Sequence, residues 1–356
     1  MRTIRSGLSR VGRMWRGWSS WRRAGVLAGL AFVLALLPVG AAVVSLRLQY
    51  AGDPSADART RGRDAVWLGH AWVDGRKTDA DLAALATQLS GTGIRDLYVH
   101  TGPLEHDGSL PATLYPRALW FLDAVHRKMP QLRVQAWLGD VVAPEADGLH
   151  LDEPAVRDRI ASSSTQVLAL GFDGVHLDLE PVRSGSAGFL ALLDQVHALT
   201  SGQDKVLSIA APQIDPLPGL HRVAIAVAGH GKWWSQAYFA TAARRVDQVA
   251  LMSYDTAMPL ESLYGGQVAQ QTKLALEVTA DGVDLLMGLP AYWENNASHR
   301  GSAETVGAAV RGARLALGRE APARQAFGVA LYVDFTATPD DWAAYRQGWC
   351  AEPQPG

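Results

Sequence analysis

The sequence predicts an α/β chain: a (β/α)8 barrel of the TIM type, preceded by one N-terminal transmembrane helix. Three observations carry this expectation. Eight apolar, β-rich runs alternate with eight helix-like segments over roughly 280 residues, near the size usual for such barrels. The first run continues into Val73-Asp74-Gly75-Arg76, not into the glycine-rich phosphate loop that an open doubly wound sheet requires there. Ahead of the alternation, residues 24–46 contain no charge.

Residues 1–23 hold seven Arg and no acid, which leaves a net charge of −9 for the remainder of a chain at −2 overall. An acidic body argues against nucleic acid as a partner. The basic head instead suits the cytoplasmic flank of the apolar segment that follows. That segment, 24–46, is long enough to span a bilayer and reads as a signal anchor. Pro38 and the small residues Gly40, Ala41 and Ala42 leave a cleaved signal peptide as the alternative. Residues 47–63 are polar, with four Arg, and read as a linker. The expected location is a bacterial inner membrane, single-pass, with the domain at 64–350 outside the cytoplasm. Cys350 is the single cysteine, so no intrachain disulfide or cysteine metal cluster is available.

The expected strands are 65–73, 96–101, 132–139, 174–180, 205–211, 248–254, 284–290 and 327–334. They are short, apolar and rich in β-branched or aromatic residues. The expected helices are 79–90, 116–128, 154–169, 186–200, 233–245, 266–280, 302–318 and 338–347. Thr78-Asp79, Asp152-Glu153-Pro154 and Thr338-Pro339-Asp340-Asp341 supply helix starts.

Barrel chemistry sits at the C-terminal ends of the strands. Residues 173–180, Asp-Gly-Val-His-Leu-Asp-Leu-Glu, carry the strongest signal. Val175, Leu177 and Leu179 point one way along the strand; His176, Asp178 and Glu180 point the other, about 6.5 Å apart. A buried row of charge is costly unless it is paired or used. The other strand ends offer His70, Trp72, His100, Trp137, Asp140, Gln213, Tyr254, Asp255, Tyr292, Glu294, Tyr332 and Asp334. Aromatic faces and carboxylates together describe a sugar cleft. His70 and His100 could join Asp178 around a metal, but no HxH or HExxH spacing supports that, and neither a metal nor a cofactor is expected. Glu294, beyond the seventh strand, could serve as nucleophile opposite Glu180 in a two-carboxylate glycosidase.

Three stretches resemble glycoside hydrolase family 18, the chitinase-like barrels. Asp173 to Glu180 is similar to that family's Asp-Gly-x-Asp-x-Asp-x-Glu on strand four, Met252-Ser253-Tyr254-Asp255 to its Met-x-Tyr-Asp on strand six, and Gly288-Leu289-Pro290-Ala291-Tyr292 to its Gly-x-Pro-x-Tyr on strand seven. Ser208-Ile209-Ala210-Ala211-Pro212 looks like its fifth strand. His176 stands where the family has Asp, and Tyr332 near its usual Trp, marking a divergent member.

The resemblance implies a retaining, substrate-assisted glycosidase acting next to β-linked N-acetylhexosamine, an exception to the two-carboxylate rule. Glu180 would be the general acid. Asp178 would orient the substrate's 2-acetamido group, Tyr254 would donate to its oxygen, and Asp255 would help position it. His176, where this chain departs from the family, could hold Asp178 by a hydrogen bond and change the acid limb of activity, or merely fill the barrel floor; Asp173 belongs to the same motif. Tyr292, Tyr332, Trp137, Trp72 and Gln213 would bind sugar, with Trp293 a further platform. The expected partner is an amino-sugar oligo- or polysaccharide. A non-hydrolysing, lectin-like barrel and a barrel acting through protein contacts are the competing readings.

Overall fold

A computed structural model describes residues 20–144, 146–228 and 231–350, so most of the basic head lies outside the described residues. Eight parallel strands close in chain order: β1 (Asp64–Leu68), β2 (Ile94–Pro103), β3 (Arg133–Val141), β4 (Gly174–Glu180), β5 (Val206–Ala211), β6 (Gln248–Leu251), β7 (Asp284–Pro290) and β8 (Phe327–Tyr332), with β1 pairing to β8. This is the expected barrel. Alternation decides the two faces. Val175, Leu177 and Leu179 of β4 join the large apolar layer between sheet and helices, whereas Trp67, Tyr98 and Trp137 face the barrel axis.

The helices are α1 (Ser20–Tyr50), α2 (Ala71–Asp74), α3 (Asp79–Leu89), α4 (Ala118–Lys128), α5 (Pro154–Ala169), α6 (Ala187–Ser201), α7 (Leu220–Ala228), α8 (Gln236–Ala243), α9 (Glu261–Leu276), α10 (Val306–Glu320) and α11 (Pro339–Trp349). Thr78 and Thr338 both form full capping boxes, with Asp81 and Asp341 reaching back. The first expected strand, 65–73, is corrected: it ends at Leu68 and turns into α2, which stops at Gly75 in the left-handed region (φ 103°). The sixth ends at Leu251, so Tyr254 and Asp255 stand on the loop above it.

The helix expected at 266–280 begins earlier, at Glu261, and carries Gly265-Gly266 inside it. Glycine weakens a helix interior by about 1 kcal/mol. Here it permits close packing of α1, since a Cβ on Gly266 would lie 2.1 Å from the Leu46 carbonyl oxygen and one on Gly265 2.1 Å from the Tyr50 ring. The stretch expected as a linker is held to α10 by arginines. Arg319 donates to Gln49 O at 2.7 Å, Arg311 to Gly52 O at 2.6 Å, and Arg314 to Ala58 O at 2.7 Å and Ser55 O at 3.0 Å. At the foot of the barrel, Asp64 accepts from Thr60, Tyr345 and Trp349, tying this stretch and the last helix to β1.

Among the described residues no helix is long and apolar enough to cross a membrane. The side chains of 20, 22–26 and 28–35 within α1 lie outside the described set. Further along it, Leu36, Leu37, Val39, Val44 and Leu48 are exposed.

Candidate active site

Glu180 is the last residue of β4 and opens into a cleft at the C-terminal end of the barrel, beside Asp178 on the same strand face. Trp137 of β3, in register with His176, donates its indole N–H to Asp178 Oδ2 at 2.9 Å. Asp178 Oδ1 has no donor among the described residues, and the two carboxyl groups interact. The depth of the cleft, then the charge of Asp178, push the Glu180 carboxyl well above the usual glutamate range. Glu180 remains open to solvent, which moderates the first effect; a sugar that displaces this water strengthens it. Asp178, more enclosed, is also raised by burial, against the hydrogen bonds that lower it. Of the two carboxyls, Glu180 is the one raised further above its ordinary range.

Three tyrosines form the adjoining wall. Tyr254 and Tyr332 stack with centroids 5.4 Å apart and planes 25° apart; Tyr292 stands edge-on to both at 6.0 Å. Tyr292 donates its hydroxyl to Asp255 Oδ1 at 2.9 Å. Gln213 donates to the Tyr254 carbonyl at 2.7 Å, fixing the loop above β6. Glu180, Gln213, Tyr254 and Asp255 line a cavity of about 290 Å³, together with Lys232, which donates to the Asp255 carbonyl at 3.2 Å. Trp72, His70, His100, Trp137 and Asp334 line a neighbouring cavity of about 440 Å³. Trp72 is nearly buried, its N–H held by Asp334 at 2.7 Å, so it offers an edge and not a broad platform. Trp293 is half exposed. His70 and His100 bond to each other's groups, Nδ1 of His70 lying 2.9 Å from His100 O.

Two expectations are corrected. Asp173 precedes β4 at the end opposite Glu180. It is bonded there by the Val134 N–H at 2.9 Å and paired with His126 at 2.8 Å, joining strands at the barrel foot away from the chemistry. His176 does not hold Asp178. Its Nδ1 meets Ser208 Oγ at 2.7 Å, its Nε2 accepts from Trp67 Nε1 at 3.1 Å, and its ring stacks on Tyr98 at 3.8 Å. Glu294 is exposed beyond β7 and, with Asp178, Glu180 and Asp255, acts on the Tyr332 hydroxyl, whereas the carboxylates that raise Glu180 are Asp178 and Asp255.

His176 is fully enclosed, and burial lowers its pKa from 6.5 to about 3. The imidazole is neutral and structural, so the activity profile between pH 5 and 8 should not reflect its titration. Because the unfolded chain binds this proton first, the contribution of His176 to stability is complete above about pH 6.5. It is lost as pH falls towards 3, by at most about 1.4 kcal/mol per unit. Replacement by Ala leaves the buried Trp67 N–H without its acceptor, while Ser208 keeps its bond to Gln135, and is expected to cost on the order of 1–3 kcal/mol, read by urea unfolding at pH 7.

The sequence reading missed Trp67, Lys232, His299 and Glu304. Trp67 stood in a recognised strand with nothing to mark its inward partner. Glu304 was placed inside a helix, whereas α10 starts at Val306, leaving Glu304 on the loop ahead of the Thr305 cap. Helix α7 had a signal in Leu220, Val223, Ala224 and Val227 followed by Gly229, a helical spacing with a stop.

The family model for Glycosyl hydrolases family 18 matches residues 125–346, well over half of the chain. The chain belongs to that family. This family 18 glycoside hydrolase also resembles solved structures in fold. The spore cortex-lytic enzyme SleL of Bacillus megaterium QM B1551 aligns with a TM-score of 0.59 at 12% identity, over 82% of this chain and 75% of that one. A chitinase from Chromobacterium violaceum ATCC 12472 aligns at 0.56 and 14%, over 80% and 98%. A family 18 N-acetylglucosaminidase from Paenibacillus barengoltzii aligns at 0.54 and 15%, over 80% and 99%. Comparison with curated protein sequences gives no match.

Proposed function

We propose that this family 18 hydrolase cleaves β-linked N-acetylhexosamine glycans with retention, using the substrate's own acetamido group as nucleophile. The observation that carries this reading is Glu180 beside Asp178 on one strand face, its carboxyl raised by burial and by that neighbour, in a cavity that Tyr254 also lines. Glu180 would give its proton to the glycosidic oxygen as the bond breaks. Asp178, held by Trp137, would accept the acetamido N–H and stabilise the cation that forms. The acetamido oxygen attacks the anomeric carbon, and Tyr254 would donate its hydroxyl hydrogen to that oxygen. Water then opens the cyclic intermediate, with Glu180 taking up its proton. Tyr292, through Asp255, and Gln213, through the Tyr254 carbonyl, would fix this wall. Tyr332 and Trp137 would give the sugar apolar surface.

We further infer that α1 anchors the enzyme in a bacterial inner membrane with the barrel outside. The uncharged run 24–46, the arginine-rich head and the exposed apolar residues of α1 support this. An envelope or exported amino-sugar polymer would suit that placement.

The test is hydrolysis of aryl β-N-acetylglucosaminide oligomers by the purified full-length chain. Release should be blocked competitively by a thiazoline that mimics the cyclic intermediate. Saturable sugar binding without release would favour a lectin-like barrel instead.

A further inference from the structure

Beside the cleft, on the far side of Asp255, the structure brings together three groups distant in sequence. His299 is fully buried, yet neither of its ring nitrogens has a hydrogen-bond partner among the described residues. Its Nδ1 lies 3.3 Å from Asp255 Oδ1 and 3.5 Å from Glu304 Oε2, and one ligand atom from each residue falls within 4.8 Å of the others. Glu304 is also buried, and among the described residues no Lys or Arg pairs with either carboxylate. The Tyr264 hydroxyl is a further buried group without a hydrogen-bond partner among the described residues. A buried carboxylate with no Lys or Arg partner, beside a buried imidazole with no hydrogen bond, is a costly arrangement, and Asp255 stands partly exposed at its edge.

The spacing itself is informative. Four N and O ligands about 2.0–2.1 Å from a tetrahedral zinc stand about 3.3–3.4 Å from one another. The imidazole–carboxylate distances of 3.3 and 3.5 Å approach that edge length, and both contacts fail as hydrogen bonds. The ligand positions are also fixed from behind. Tyr292 donates to Asp255 Oδ1, and Glu304 accepts the backbone N–H groups of Thr256 at 3.1 Å and Arg300 at 3.3 Å, the kind of outer support that metal ligands receive.

We propose that Asp255, His299 and Glu304 form a binding site for one divalent cation of the zinc class. Asp255 faces the cleft and leaves a position open to water; His299 and Glu304 lie behind it. Two carboxylates and a neutral imidazole balance the ion's charge. The ion would pin the loop after β7 to the loop after β6, where Asp255 itself sits in the left-handed region at φ 58°. The inference does not rest on the glycosidase reading, because binding is measured without a sugar.

The full-length chain is stripped with a chelator and titrated with zinc chloride by calorimetry, with metal content and thermal unfolding measured in parallel. One zinc per chain and a zinc-dependent rise in Tm are expected. Glu304→Gln and His299→Gln should each abolish the stoichiometric binding while keeping the circular dichroism spectrum. Cobalt added to the stripped wild-type protein should give the intense visible bands of a four- or five-coordinate N/O site, a readout that does not depend on either variant folding. Zinc-insensitive melting with no bound metal would overturn the proposal. So would stoichiometric binding that persists in both variants, which would place the ion elsewhere.

Discussion

Glu180→Gln should lower kcat on an N-acetylglucosamine oligomer by about 10²–10⁴, the range that general acid catalysis supplies, with KM changed little. The side chain keeps its size and its place at the end of β4 but has no acidic proton. The deficit should depend on the leaving group. A sugar hydroxyl is a poor leaving group and needs the proton, whereas a dinitrophenolate departs without it. Steady-state kinetics on the two substrates separate the readings. A similar deficit on both would indicate that Glu180 acts in binding or structure and not as the acid.

Asp178→Asn is expected to have the second largest effect. It removes the carboxylate that would orient the acetamido group and face the developing positive charge. Losses of about 10²–10³ in kcat are typical when one such electrostatic partner is deleted. The pH dependence should move as well. The Asp178 charge is one of the causes that raise Glu180, second to burial. Without it Glu180 loses its proton at lower pH, and because the protonated form is the active one, the alkaline limb of kcat/KM should shift towards acid. A pH–rate profile of the residual activity checks this. An alkaline limb that stays put would separate Asp178 from the ionisation of Glu180.

What the sequence made legible follows from how local each signal is. β4, β7 and α5 match their expected bounds because alternation, a first-turn proline and a following Gly or Pro act within a few residues. The row of His176, Asp178 and Glu180 was legible for the same reason. Its division of labour was not: which inward side chain bonds which depends on strand tilt, and that turned His176 towards Trp67 and Ser208 and left Asp178 to Trp137. Asp173 shares the motif but sits below the barrel, since the strand separates its two ends by most of its length. Gly265-Gly266 read as a helix boundary because the partner that requires them, the end of α1, lies more than 200 residues away in sequence. His299 and Glu304 had no motif at all, being placed by a loop whose path depends on its neighbours.

The central claim is that the substrate's acetamido oxygen, and not a protein carboxylate, is the nucleophile. The most direct measurement compares hydrolysis of aryl glycosides bearing acetamido, fluoroacetamido, difluoroacetamido and trifluoroacetamido groups at C2. Fluorine withdraws electron density from the attacking carbonyl. Substrate assistance therefore predicts that kcat/KM falls steeply with each added fluorine. Rates that stay level across the series would contradict the account and assign the attack to a carboxylate of the protein.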